Sequence, residues 1–206
     1  WATTALWAVY AHRALPGVPG EPLLQHFGIH VRCLVAIPLL VIAEGMAHAV
    51  STRIVPYFVA SGLVRERDVP AFREVVRGVT ALRDSTRPWV VLLAILAAWT
   101  FLAPLAADVH EIVWASESGE ATARAGFGAF WFLYVTRPIY FALLLGWVWR
   151  VVLLFVLLAR IARVDLSLVP SHPDGASGLA FLEGLPSAFS LVAFASSTVV
   201  ASRWAH

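Results

Sequence analysis

Residues 127–163, FGAFWFLYVTRPIYFALLLGWVWRVVLLFVLLARIAR, contain no charged group except four arginines, at 137, 150, 160 and 163. A straight helix of that length measures about 55 Å, against a bilayer hydrocarbon core of about 30 Å. The segment is too apolar for a water-exposed helix and too long for one perpendicular crossing. Arg137-Pro138 is the expected division, because proline removes a donor and clashes with the preceding turn. It would leave an aromatic piece at residues 127–136 in or near the interface and a span at residues 139–159.

Composition extends this reading to the whole chain. Hydrophobic residues make up 60% and charged residues 14%, against roughly 45–50% and about 25% in soluble domains. The formal charge of +2 comes without any lysine, and so small and scattered a charge argues against nucleic acid as a partner. The single cysteine, Cys33, excludes a disulfide framework and a cysteine-based zinc or iron-sulfur site, and no cofactor is expected. Residues 1–28 lack the basic and apolar regions of a signal peptide. The chain reads as one membrane domain over residues 1–206, and as part of a longer protein.

Residues 31–50 have the length of a crossing, with Arg32 and Arg53 placed to snorkel at its ends. The apolar pattern continues to Val64, and Pro56 is expected to kink it into a tail at the interface. In residues 65–87, Val69, Phe72, Val75, Val76, Val79 and Leu82 recur every three or four positions, opposite Arg73, Glu74, Arg77 and Asp84. This is an amphipathic helix with Asp68 as its N-cap, expected to lie flat on the membrane. A second span occupies residues 89–107, a polar loop residues 108–126, and a further span rich in Ser and Ala residues 188–201. Residues 1–16 read as the remnant of another span.

The fold class is therefore all-α: a polytopic membrane protein with about four to five transmembrane helices and an interfacial amphipathic helix. Arginines concentrate in the 65–87 connection, while the 108–126 loop holds one arginine against four acids. The positive-inside rule then places 65–87 and the 164–187 loop in the cytoplasm.

Glu44 and His48 are four residues apart inside the first span and share a helix face. A carboxylate in hydrocarbon must be protonated, paired or turned to water, so Glu44 is a candidate for an ion or proton path as readily as for helix packing. Arg137 beside its proline is a second candidate, with a direct Arg137–Glu44 pair as one reading and interfacial snorkelling as the other. Arg150 needs an acidic, carbonyl or phosphate partner if its span begins at 139. If the span begins at 127, it lies near the cytoplasmic end and needs none.

The loop sequence LVPSHPDGASGL holds His172, Pro173, Asp174 and Gly178. It reads as a tight turn or as a His–Asp pair at a vestibule, with too few ligands for a metal. After a span that ends in Arg163, Leu166, Leu168, Val169, Pro170, His172, Pro173, Asp174, Gly178, Leu179, Phe181 and Leu182 fit the pattern LxLVPxHPDxxGGLxFL, with Ser177 in place of the first paired glycine. In these roughly 20 residues the chain resembles a family of bacterial multi-pass inner-membrane proteins of uncharacterised function. The resemblance implies a bacterial inner membrane and adds no activity. No nucleotide, zinc-protease or hydrolase motif occurs, and no enzyme is expected. The leading reading is a channel or transporter for a small ion or solute. The alternative is a non-catalytic accessory subunit, with lipid and either a second copy or other membrane subunits as partners.

Overall fold

The computed structural model describes residues 1–15, 22–102, 126–169 and 172–204, apart from the Arg203 side chain. The polar loop 108–125, the end of the second span beyond Leu102, Pro170 and Ser171 lie outside the described residues. Among the described residues the secondary structure is helical, with one isolated antiparallel bridge, Val64 to Leu166. The helices are α1 (Ala2–Tyr10), α2 (Phe27–Ala60), α3 (Val69–Asp84), α4 (Thr86–Leu102), α5 (Phe127–Ile161) and α6 (Gly184–Trp204).

Among the described residues, three helices are long and apolar enough to cross a membrane: α2, α5 and the segment Ala180–Ser202 containing most of α6. A fourth crossing is counted when α4 is taken with the preceding segment Glu66–Asp84, from which it bends by 41°. The protein is an all-α polytopic membrane protein. At nine residues, or about 14 Å, α1 is too short to cross.

The expected division at Arg137-Pro138 does not occur, and Pro56 does not end the helix that holds it. Helix runs unbroken past Pro56 to Ala60, and α5 runs from Phe127 through Pro138 to Ile161. Each long helix instead contains a π-helical segment just before a proline: Val31–Ala36 before Pro38, and Phe132–Thr136 before Pro138. Proline has no N–H for the carbonyl four residues back, and its ring crowds that carbonyl. A π turn shifts bonding to i→i+5 and makes room for the ring without ending the helix.

The chain forms two compact units. The first comprises residues 1–40, 92–144 and 194–206, the second residues 41–91 and 145–193. In the first, Ala8, Leu23, Ile29, Ala129, Phe132 and Leu133 form the core. Arg32, expected to snorkel, is only 5% exposed there, and its guanidinium lies 5.2 Å from the Phe132 ring centroid and 5.8 Å from that of Tyr140. Two aromatic faces supply the electrostatic attraction that hydrocarbon cannot.

In the second unit, Phe58, Leu63, Val64, Phe72 and Ile161 make the core. The apolar face of α3 is thus occupied by protein: Phe72 and Val79 are buried, and Phe72 meets Phe58 with ring centroids 5.8 Å apart. The outer face carries exposed Arg73, Glu74 and Arg77, the last two ion-paired at 2.8 Å. Asp68 stands at the N-cap position, but no side-chain cap bond forms; its carboxylate pairs with Arg67 at 3.2 Å. Phe72→Ala should lower stability by about 3–5 kcal/mol, the usual cost of removing a buried phenyl ring. A thermal or denaturant midpoint measured in detergent checks this. A helix lying flat on lipid would show little change.

Candidate functional site

The midpoint of α2 falls at Glu44, with 17 residues before it and 16 after it in Phe27–Ala60. Its carboxylate Oε1 accepts a hydrogen bond from the Arg150 Nη2 of α5. Of the two readings of Arg137, a pair with Glu44 or interfacial snorkelling, the first is not what the structure gives Glu44: its partner is Arg150. Arg150 lies 11 residues, or about 16 Å, before the end of α5. Although α5 begins at Phe127, Arg150 does take an acidic partner.

Two neighbours set the Arg150 geometry. Its guanidinium carbon stands 5.2 Å from the ring centroid of buried Trp147, one turn earlier. Gly146, four residues earlier, leaves the helix surface open beneath it; a Cβ there would lie 3.3 Å from Arg150 Nη1. The arginine therefore folds back along its own helix and reaches α2. The pair is closed on the protein side and open on the other, with the Glu44 side chain 58% exposed and that of Arg150 37%.

His48 is exposed one turn beyond Glu44, and its carbonyl accepts bonds from the hydroxyls of Ser51 at 2.9 Å and Thr52 at 3.1 Å. Glu44, His48, Ser51 and Thr52 form a polar stripe along α2. The hydroxyls of Ser51 and Thr52 were missed in the sequence, where their helical spacing from His48 was the available signal. Arg137 is half-buried in the first unit, at the end of the π segment.

The HPD loop has a different construction. The Asp174 carboxylate accepts three backbone N–H bonds, from Ala176 at 3.0 Å and Gly178 at 3.1 Å on Oδ1, and from Ala180 at 3.2 Å on Oδ2. His172 Nδ1 lies 2.8 Å from Oδ1. Asp174 is the hub of the turn leading into α6. Asparagine cannot replace it fully, because its NH2 would face the Ala180 N–H. Partial burial pushes the carboxyl up, but the three backbone bonds and that of His172 outweigh this and hold it well below the usual carboxylate range.

Gly175 and Gly178 have positive φ, 68° and 93°, and so does Ser177, at 57°. A Cβ on Gly178 would come within 3.1 Å of Leu63 Cδ2, so glycine there permits both the backbone turn and the close approach. The serine that interrupts the paired-glycine pattern thus occupies the left-handed region. Among the described residues no group of three or more His, Cys, Asp or Glu could hold a metal. An open groove on α6, lined by Ser196, Ser197, Val200, Ala201 and Trp204, contains none of the polar candidates. No family model, curated protein or solved structure matches the chain.

Two outcomes test the loop. The folded-state value of Asp174 is depressed, so its stabilisation is present above the ordinary carboxylate pKa of about 4 and is lost as pH falls through the folded value. Asp174→Asn should lower the melting midpoint at pH 7 and flatten its decline in acid, as followed by thermal scans from pH 7 to 3. At the neighbouring positions the signs should oppose. Ser177→Gly should stabilise by up to about 1 kcal/mol, since a left-handed L-residue costs roughly 1–2 kcal/mol, partly offset by the greater unfolded freedom of glycine. Gly178→Ala should destabilise; midpoints of both variants decide the matter.

Proposed function

We propose that the protein carries a small ion or solute across a bacterial inner membrane, with the Glu44–Arg150 pair in the path and His48 as the next polar group along it. One observation carries this reading: an acid at the midpoint of one long span is held by an arginine from another, on a stripe that continues through His48, Ser51 and Thr52. Ionisable groups at membrane depth are costly, and where they persist they commonly mark ion or substrate pathways. The open side of the pair supports a homo-oligomer, since a second copy laid against the stripe would shield it from lipid and enclose a polar seam.

The arginine-rich connection 65–87 supports a cytoplasmic location for that end of α2, and the loop pattern around His172 and Asp174 supports the bacterial inner membrane. A non-catalytic accessory role is the second reading. The small-residue groove on α6, suited to close helix packing, favours it.

Proteoliposomes loaded with a pH-sensitive dye or with chloride distinguish the two. The intact chain should pass protons or chloride, and Glu44→Gln should change that flux by about tenfold or more, as should Arg150→Gln. The exchanged pair Glu44→Arg with Arg150→Glu should recover part of it. Absence of flux, or equal flux in the single variants, overturns the pathway reading and leaves the accessory role.

A further inference from the structure

Both long helices open on the same pattern. Phe27-Gly28 is followed by Pro38, and Phe127-Gly128 by Pro138, so each residue has its counterpart 100 positions later. The same spacing relates Val35 to Val135, Val64 to Val164, and Val69-Pro70 to Val169-Pro170. The structure repeats along with the sequence. Each pattern begins a short α-helical stretch, passes into a π segment at 31–36 or 132–136, and continues as α-helix to Ala60 or Ile161. Each long helix leads through a connection to a second helix, α4 or α6, and each second helix has a proline near its start, Pro88 or Pro186.

Counterparts also touch. In the first unit the Arg32 guanidinium lies over the ring of Phe132, its own counterpart. In the second unit Arg65 pairs with its counterpart Asp165 at 3.0 Å. Around that pair, Val64 bridges Leu166, and the Ser167 N–H donates to the Leu63 carbonyl at 2.8 Å. These contacts pair one residue before 65 with one after 165, and two before with two after. That is the antiparallel register two copies adopt when a local two-fold exchanges 65 with 165.

We infer that the chain is an internal duplication. Residues 27–102 and 127–204 are two copies of one unit of long span, connection and second helix, and they dock on each other in the same direction across the membrane. The surface of each copy is the one the other fits. The copies have diverged where they meet. The position equivalent to Glu44 is Leu144, and the position equivalent to Arg150 is Val50, so each copy contributes one charge to a contact that occurs once per chain. This assignment stands without the pathway reading, but it matches the placement of transport sites between repeats in many carriers.

Cysteine pairs introduced into a full-length Cys33→Ala chain test it. Val64→Cys with Leu166→Cys should form an intramolecular disulfide on mild oxidation in membranes, because bridged residues fall within disulfide reach. Arg32→Cys with Phe132→Cys, at the other end of the same helices, should be joined by a short bismaleimide. Should the Arg32 variant fail to fold, sidedness remains decisive. Single cysteines at Ser61 and Ala162, just past the two long helices, should react with an impermeant maleimide from the same side of sealed vesicles. Labelling from opposite sides, or cross-links only between separate chains, overturns the duplication whether or not the protein conducts ions.

Discussion

In hydrocarbon, a backbone N–H or carbonyl without a partner costs several kcal/mol, and no water is present to replace a lost bond. That constraint explains why α2 and α5 continue through prolines that would end many helices in water. Pro38 and Pro138 each remove a donor, and a π segment just before each one redistributes the carbonyls. The widened turns also change which side chains face inward. Arg32 lies within the first π segment, and Phe132, which receives its guanidinium, begins the second. A local repair of backbone bonding thus becomes part of the packing in the first unit.

Electrostatics follows the same rule. Charges outside the long spans pair with one another at modest burial, as in Arg65 and Arg67 with Asp165 or Arg77 with Glu74. Such exposed pairs contribute little stability individually, although Arg65 and Asp165 do join two connections widely separated in sequence. Within the spans, Arg150 is held by Glu44 and Trp147 together, and Arg32 by two aromatic rings. The loop hub Asp174 binds backbone rather than cations. That makes it an organiser of the turn into α6, and it accounts for a carboxylate at a position where a serine would offer one oxygen and an asparagine an opposing donor.

Much of this was legible in the sequence, but unevenly. Hydropathy located α2, α4, α5 and α6, since crossing a bilayer requires long apolar runs and little else. The face of α3 was readable from Phe72 and Val79, yet its destination was not: an amphipathic helix presents the same face to lipid and to a protein core. Glu44, His48 and Arg150 stood out because ionisable groups are rare at such depth. Their pairing depended on which helix side meets which, and it is Arg150 of α5 that meets Glu44 of α2. The positive φ of Ser177 was also hidden, because serine occupies ordinary and left-handed turns alike.

By itself, then, the amino-acid order determined that this chain crosses a membrane as helices, where its charges are scarce, and which residues form turns. These follow from transfer free energy and backbone bonding, which act locally along the chain. Only the tertiary structure decided that the prolines are absorbed, that α3 packs against protein, and that Glu44 meets Arg150 while Arg65 meets Asp165. Those outcomes depend on the rotation of one helix about its axis relative to another. That rotation is set by packing between elements distant in sequence, and no local pattern along one helix specifies it.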